Sequence, residues 1–117
     1  MTPFGRRMRE LRAANAVTLQ QMAAALDVSP AYLSALEHGR RGRPSRPRVH
    51  QICQFFNVVW DDADELQRLA RMSHPRITVD TSGLAPEATE LANELAQRIR
   101  KLPRDKVKAL LETLKAR

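Results

Sequence analysis

The sequence lacks the patterns from which disulfides, metal centres and membrane spans are built. There is one cysteine among the 117 residues, so no disulfide can form within the chain. No apolar run approaches the ~20 residues that a helix needs to cross a bilayer, and none follows the amino terminus. The histidines are dispersed, and no nucleophile stands in a recognisable pattern with a base. We therefore expect a reduced, cytoplasmic protein with no enzymatic activity and no cofactor.

Two features that could bind a metal have a simpler structural explanation. Cys53 shares an apolar helical stripe with Val49, Ile52 and Phe56, which predicts a buried small hydrophobic side chain rather than a redox or metal residue. Acidic residues also cluster along one short stretch, at Asp61, Asp62, Asp64 and Glu65. No histidine accompanies them at ligand spacing, and acids in the first turn of a helix favour its dipole. We expect no metal site in this sequence.

Positive charge is concentrated in the first part of the chain. The net charge of +7 divides into +6 over residues 1–48, −2 over residues 49–74 and +3 over the remainder. Every base of the first segment is arginine, whose planar guanidinium contacts phosphates bidentately. A basic surface alone can serve only solubility. Here the excess surrounds the apolar pattern of residues 19–38, and this coincidence favours nucleic acid as a partner.

Residues 19–38 carry the spacing of two short helices joined by a tight corner. Apolar residues fall at intervals of four, two, five and three positions, at Met22, Leu26, Val28, Leu33 and Leu36. Ala23 is small where the two helices would come closest. Asp27 occupies a corner that requires a positive φ, which Asp tolerates better than most residues. The pattern predicts a helix-turn-helix, a unit that lays its second helix in a DNA groove.

The second of these helices has clear signals at both ends. Ser29 can cap its first turn, and Pro30 stands at the first helical position. Gly39 follows where a residue with left-handed backbone ends a helix. The same signals, with the apolar periodicity, predict five helices at about residues 3–14, 19–26, 30–37, 47–56 and 60–72.

The first and second helices also carry specific expectations. In the first helix the apolar side chains that face the core are Phe4, Met8 and Leu11. The arginines between them, which we expect to face solvent or phosphate, are Arg6, Arg7, Arg9 and Arg12. Thr18 is the predicted N-cap of the second helix.

These residues resemble the Cro/C1-type (XRE) helix-turn-helix regulators, in which a stretch like L-x-x-x-L-x-V-S-x-x-Y-L-S-x-L-E-x-G-R-R recurs. The matching residues are Met22, Ala23, Leu26, Val28, Ser29, Tyr32, Leu33, Ser34, Leu36, Glu37, Gly39, Arg40 and Arg41. Asp27 replaces the usual corner Gly. Leu19 stands where many members place a phosphate-contacting Gln, so Gln20 or Gln21 would take over that role. The resemblance covers roughly residues 4 to 72 and implies the five-helix, all-α fold of the family.

By this resemblance the helix at residues 30–37 enters the major groove of double-stranded DNA. The residues that would face base edges are Ser29, Pro30, Ala31, Ser34 and Ala35. The residues that would contact the DNA backbone or the minor groove are Thr18, Gln20, Gln21, Tyr32, His38, Arg40, Arg41 and Arg43. The base-facing side chains are small, and their contacts discriminate weakly between bases.

The loop after this helix offers a second way to read DNA. Residues 41–44, Arg-Gly-Arg-Pro, reproduce the short core with which AT-hook peptides lie in narrow A·T minor grooves. Four residues are a weak signal, and a loop that contacts phosphates explains them equally well. The two interpretations predict different effects of Arg43 on the preference for A·T pairs.

Composition changes beyond residue 73. Pro75 ends the fifth helix, and residues 76–80 alternate apolar and polar side chains as a short strand does. A lone strand needs a partner, and the economical one is the same strand of a second subunit. Amphipathic helices are then predicted at about residues 86–102 and 104–115. The apolar residues expected to join two subunits are Ile77, Val79, Leu91, Leu95, Ile99, Leu110 and Leu114.

The sequence thus predicts a helix-turn-helix domain over residues 1–74 and a dimerisation element over residues 75–117. The alternative for the second part is that its two helices fold back on the chain's own core and leave a monomer. The expected function is that of a homodimeric, sequence-specific regulator of transcription, a repressor of a palindromic operator, with no small-molecule effector evident. The alternatives are an antitoxin that represses its own operon and a protein-interaction adaptor.

Overall fold

The computed structural model describes residues 1–116 and is all-helical over that range. The α-helices are α1 (Pro3–Ala14), α2 (Leu19–Ala25), α3 (Pro30–Glu37), α4 (Arg46–Phe56), α5 (Trp60–Arg71), α6 (Pro86–Arg98) and α7 (Arg104–Lys115), with a 3₁₀ turn at Ile99–Lys101. The described chain divides into two compact units, one of Met1–Ile77 and one that begins at Thr78. The first unit holds α1 to α5, in which α1 packs against α3 and α5, α2 against α3, and α4 against α5.

The core of the first unit contains most of the apolar positions that the periodicity selects, together with Leu66 and Ala70 of α5, which it did not select. Its buried members are Phe4, Met8, Leu11, Met22, Ala23, Leu26, Leu33, Leu36, Val49, Ile52, Cys53, Leu66 and Ala70. Val28 and Phe56 are half-buried and pack against this cluster. The predicted inward faces of α1, of the α2–α3 pair and of α4 are therefore confirmed.

Two contacts of the α1 amino terminus have no signal in the sequence. A Cβ on Gly5 would lie 1.9 Å from the carbonyl oxygen of Glu37, so the backbones of α1 and α3 approach closely where only glycine fits. The N–H of Phe4 donates to Ser73 Oγ at 2.9 Å, and Ser73 Oγ donates to the carbonyl oxygen of Leu69 at 2.6 Å. The buried Ser73 thus ties the end of α5 to the start of α1.

Arg12 does not face solvent or phosphate as predicted. Its side chain is 12% exposed and forms an ion pair with Glu37, whose side chain is 3% exposed. The periodicity of α1 assigned every arginine to the outer surface because it contained no information about α3, which supplies the carboxylate. The other three arginines of α1 reach the surface: Arg6 and Arg7 pair with Glu10, and Arg9 is exposed.

The start of α5 is unusual in backbone and exposure. Trp60 has a φ of 55°, a conformation that L-residues rarely adopt, and its side chain is 86% exposed. It borders a groove of about 890 Å³ between α4 and α5, which Cys53 also lines. Burial raises the pKa of the Cys53 thiol, as expected for a cysteine on the inner face of α4.

Residues 76–80 form no strand within the described chain. A turn follows them: the N–H of Leu84 donates to the carbonyl oxygen of Thr81 at 3.1 Å, and Gly83 has a φ of 77°. Hydrogen bonds from Ser82 hold the pKa of Asp80 below its usual value. α6 then begins at Pro86, which agrees with the start predicted for the first amphipathic helix.

The α6 helix ends earlier than its apolar stripe predicts. It stops at Arg98, and the 3₁₀ turn carries the chain to Leu102, whose φ of −75° and ψ of 134° are extended. Leu102 precedes Pro103, and the ring of a proline disfavours helical backbone in the residue before it. No described residue of α6 or α7 is buried.

Candidate nucleic-acid interface

The corner between α2 and α3 has the geometry that the sequence predicts. Asp27 has a φ of 58°, which confirms the positive φ expected at this position. The N–H of Val28 donates to the carbonyl oxygen of Ala23 at 3.0 Å and closes the turn. Ala23 is fully buried where α2 meets the core. The two helices are thereby held in the arrangement of a helix-turn-helix.

The amino end of α3 is capped and open to solvent. Ser29 Oγ accepts from the N–H of Tyr32 at 3.0 Å, and Pro30 occupies the first turn, as predicted. Ser29, Pro30 and Ala31 are exposed, while Ser34 and Ala35 one turn later are half-buried. The small side chains therefore form a surface that begins at the exposed amino end of α3 and continues for one further turn.

The carboxyl end of α3 stops at the predicted glycine. Gly39 has a φ of 79°, and the N–H of Arg40 reaches back to the carbonyl oxygen of Ala35 at 2.9 Å. A Cβ on Gly39 would come within 2.8 Å of Thr2 Cγ2, so the site is also crowded. His38 Nδ1 hydrogen-bonds to the carbonyl oxygen of Ser34 at 2.9 Å, which holds its exposed ring against the last turn.

The amino end of α2 carries the predicted capping residue in a reciprocal arrangement. Thr18 Oγ1 accepts from the N–H of Gln21 at 3.1 Å, and Gln21 Oε1 accepts from the N–H of Thr18 at 2.9 Å. Gln20 and Gln21 are both exposed. The cap fixes the Gln21 side chain and leaves its amide NH₂ as the end that can donate to another group, whereas Gln20 makes no such contact in the described chain.

The loop between α3 and α4 separates its arginines. Arg40, Arg41 and Arg43 are exposed, while Pro44 is buried and anchors the loop. The guanidinium carbon of Arg41 lies 5.8 Å from the centroid of the Tyr32 ring. Arg43 instead lines a cavity of about 270 Å³ together with Arg46 and Arg71. The two arginines of the Arg-Gly-Arg-Pro stretch therefore have different surroundings.

Arg48, in the first turn of α4, joins this surface although the sequence pattern did not select it. The guanidinium carbon of Arg48 lies 5.5 Å from the centroid of the Tyr32 ring, and Arg48 Nη1 donates to Gln51 Oε1 at 2.7 Å. Ser45 caps α4 by accepting from the N–H of Arg48 at 3.3 Å. A basic residue in the first turn of a helix that follows an arginine-rich loop is a signal that could have found Arg48.

The acidic stretch and the histidines form no metal centre in the part of the chain that the structure describes. Asp61 and Asp62 lie in the first turn of α5, as expected for acids that favour a helix dipole. No group of three or more potential metal ligands occurs among residues 1–116. No helix in the same range is long and apolar enough to cross a membrane.

Comparison with known proteins agrees with this geometry. The family model of a helix-turn-helix domain matches residues 3–69 of the chain. The chain is also similar to an uncharacterized HTH-type transcriptional regulator, RghRB, of Bacillus subtilis (strain 168), with 34% identity over 62 residues. That match covers 53% of the chain and 45% of the relative, so the chain spans less than half of the relative's length. No solved structure matches the chain significantly.

The chain belongs to the XRE-type helix-turn-helix family. This is a DNA-binding family without enzymatic activity. The family model ends at residue 69, within α5, so membership rests on the first compact unit.

Proposed function

We propose that this protein is a sequence-specific transcription regulator that represses by occupying a palindromic operator as a homodimer. The observation that carries the proposal is the capped and exposed amino end of α3, with Arg41 beside the ring of Tyr32 in its first turn. Arg40, Arg41 and Arg43 are exposed after the helix and form no ion pair with a carboxylate in the described chain. An exposed helix end of this kind fits the major groove of double-stranded DNA, and the guanidinium groups fit its phosphates.

Base contacts would come from the small residues at this end of α3. Ser29 accepts a backbone hydrogen bond and keeps its hydroxyl hydrogen for a base acceptor. Pro30 and Ala31 are exposed and can contact thymine methyl groups, and the half-buried Ser34 and Ala35 extend the surface by one turn. None of these side chains forms the bidentate contact that usually dominates direct readout. The operator is therefore recognised in part by other means.

Backbone contacts would surround this end of α3 on both sides. From α2 they involve Thr18, Gln20 and Gln21, and from the end of α3 and the loop they involve His38, Arg40, Arg41 and Arg43, with Tyr32 at the edge of this surface. Gln20 or the amide NH₂ of Gln21 would supply the phosphate contact that Leu19 does not. Each of these positions except Tyr32 is exposed.

Arg43 tests whether the loop reads A·T pairs or only contacts phosphates. If it enters a narrow minor groove, Arg43→Ala should relax the preference for A·T pairs between or beside the half-sites. If it contacts a phosphate, the same substitution should weaken binding uniformly and make the salt dependence shallower by about one unit. Affinity measured over operator variants and a series of salt concentrations distinguishes these outcomes. Arg46→Ala, which removes a neighbouring charge from the same cavity, is the matched control.

Homodimerisation is supported by the apolar surface of the second part of the chain. The side chains proposed for the interface are exposed by 39% to 73%: Ile77, Val79, Leu91, Leu95, Ile99, Leu110 and Leu114. Residues 76–80 would gain a partner strand from the second subunit, since a strand is stable only in a ladder. A dimer would bind two half-sites about one helical turn, ~34 Å, apart.

Selection of bound duplexes from a random pool tests the function directly. The expected result is an enriched inverted repeat with half-site centres separated by about 10 base pairs. Mapping of bound sites in the cell, with transcript levels after deletion of the gene, should show increased transcription from the bound promoters. Failure to enrich any sequence at low salt would refute the proposal, and decreased transcription would refute repression while leaving operator binding intact.

A further inference from the structure

Two guanidinium groups from different segments of the chain lie near the ring of Tyr32. The ring is half-buried on α3, and the guanidinium carbons of Arg41 and Arg48 lie 5.8 Å and 5.5 Å from its centroid. Both distances are within the range in which a cation is attracted to the electron-rich face of an aromatic ring. The ring therefore connects α3 to the following loop and to the first turn of α4.

A hydrogen bond within α4 also holds the Arg48 side chain. Its Nη1 donates to Gln51 Oε1 at 2.7 Å, and Gln51 Nε2 donates to the carbonyl oxygen of Leu26 at 3.3 Å. Leu26 is the C-cap residue of α2, so the contacts run from the helix-turn-helix corner to the guanidinium of Arg48. This arrangement limits the rotation of a side chain that is normally flexible.

Neither guanidinium is neutralised by the protein. Among the described residues, no carboxylate forms an ion pair with Arg41 or Arg48. A guanidinium has five N–H donors, and the bond to Gln51 uses one of those of Arg48. Two positively charged groups with free donors, fixed on one ring beside the exposed end of α3, fit an anionic ligand with several oxygen atoms.

We propose that Arg48 is a further phosphate contact in the operator complex, and that Tyr32 is a positioning residue which holds Arg48 and Arg41 toward the same stretch of DNA backbone. This inference rests on the proposed function, because the phosphates are those of the operator. The role of Tyr32 differs from the one expected from sequence, in which Tyr32 itself contacts DNA. In the present proposal the Tyr32 ring contacts the two arginines, and it affects DNA binding by holding them in position.

The test measures the affinity of the full chain for its selected operator over a series of salt concentrations. Arg48→Ala should make the slope of log affinity against log salt shallower by about one unit. Tyr32→Ala should make the slope shallower by up to about two units, because both arginines lose the ring that positions them. Tyr32→Phe keeps the ring and should keep the slope of the unsubstituted protein. Lys106→Ala removes one positive charge from α7, outside the Met1–Ile77 unit, and should leave the slope unchanged.

Three results would overturn the inference while the proposed function stands. The first is an unchanged slope for Arg48→Ala. The second is weaker binding by Tyr32→Ala at an unchanged slope. The third is weaker binding by Tyr32→Phe, which would mean that the Tyr32 hydroxyl contacts DNA directly. If Tyr32→Ala does not fold, as judged by circular dichroism, Gln51→Ala replaces it, and it should give part of the Arg48→Ala change. If the unsubstituted protein selects no operator, the proposed function fails and the inference fails with it.

Discussion

At the scale of single residues, the buried ion pair between Arg12 and Glu37 has a large energetic consequence. It joins α1 to α3 in the interior, where the side chains are 12% and 3% exposed. Removing two charges from water costs several kcal/mol for each ion, and the attraction between them offsets that cost only while both partners are present. A change that leaves one charge buried alone is therefore much more harmful than removal of the pair.

Glu37→Ala should lower the free energy of unfolding by about 3 to 5 kcal/mol, because it leaves the Arg12 guanidinium without its carboxylate. Urea denaturation measures this change. The control is the double substitution Arg12→Met with Glu37→Leu, which should be close to neutral since no buried charge remains. A loss of less than about 1 kcal/mol for Glu37→Ala would mean that the pair behaves like one on the surface.

Cys53 should be slow to react while the protein is folded. Burial raises the pKa of its thiol, so the reactive thiolate is rarer in the folded chain than in the unfolded chain. As the pH rises through the ordinary thiol pKa of about 8.5, the unfolded chain ionises first, and stability should decline. Labelling with a thiol reagent before and after addition of urea measures the difference. Equal rates in both states would show that the thiol is accessible.

At the scale of elements, the helix ends depend on bonds between residues that are close in sequence. Ser29 bonds to the N–H of Tyr32 and Ser45 bonds to the N–H of Arg48, each three positions away. Such contacts depend on local sequence, and the bounds of α1 and α3, which Thr2 and Ser29 cap in this way, agree with the predicted ones. A similar local rule makes Leu102, the predicted last residue of α6, extended, because Pro103 restricts the backbone of the residue before it.

At Thr18, in the capping box of α2, the contribution to folding stability and the contribution to DNA binding can be measured separately. Thr18→Ala removes the acceptor for the N–H of Gln21 and should cost about 1 kcal/mol in the free energy of unfolding. Thr18→Ser keeps the hydroxyl and is the matched control. Thermal or urea unfolding measures the cost, and a Thr18→Ala protein as stable as the unsubstituted one would contradict it. If Thr18 also contacts phosphate, the alanine variant should in addition show a shallower salt slope.

At the scale of the whole molecule, the two units differ in how their apolar residues are used. The first unit buries one apolar cluster with members from all five of its helices, whereas α6 and α7 have no buried residue among those described. Amphipathic helices are stabilised chiefly by packing of their apolar face, so α6 and α7 need a partner surface. The proposed dimer supplies that surface.

Leu91→Glu combined with Leu110→Glu should abolish dimerisation, because charged side chains would enter the interface without partners. Light scattering should then report the mass of one chain, while thermal unfolding of the Met1–Ile77 unit stays unchanged. Asn93→Glu combined with Thr113→Glu adds the same charges at polar positions of α6 and α7 and should keep the dimer. A monomer before any substitution, or a dimer after the leucine substitutions, would contradict the proposed interface.

The sequence by itself determined the five-helix order, the corner at Asp27, the caps at Ser29 and Thr18 and the stop at Gly39. The helix order follows from the apolar periodicity, and the corner, the caps and the stop depend on backbone preferences or on bonds within about one helical turn. Only the tertiary structure decided the pairing of Arg12 with Glu37, the bond from Phe4 to Ser73 and the position of Arg48 beside Tyr32. Those partners are 25, 69 and 16 positions apart, and they meet because packing of the helices brings distant side chains together.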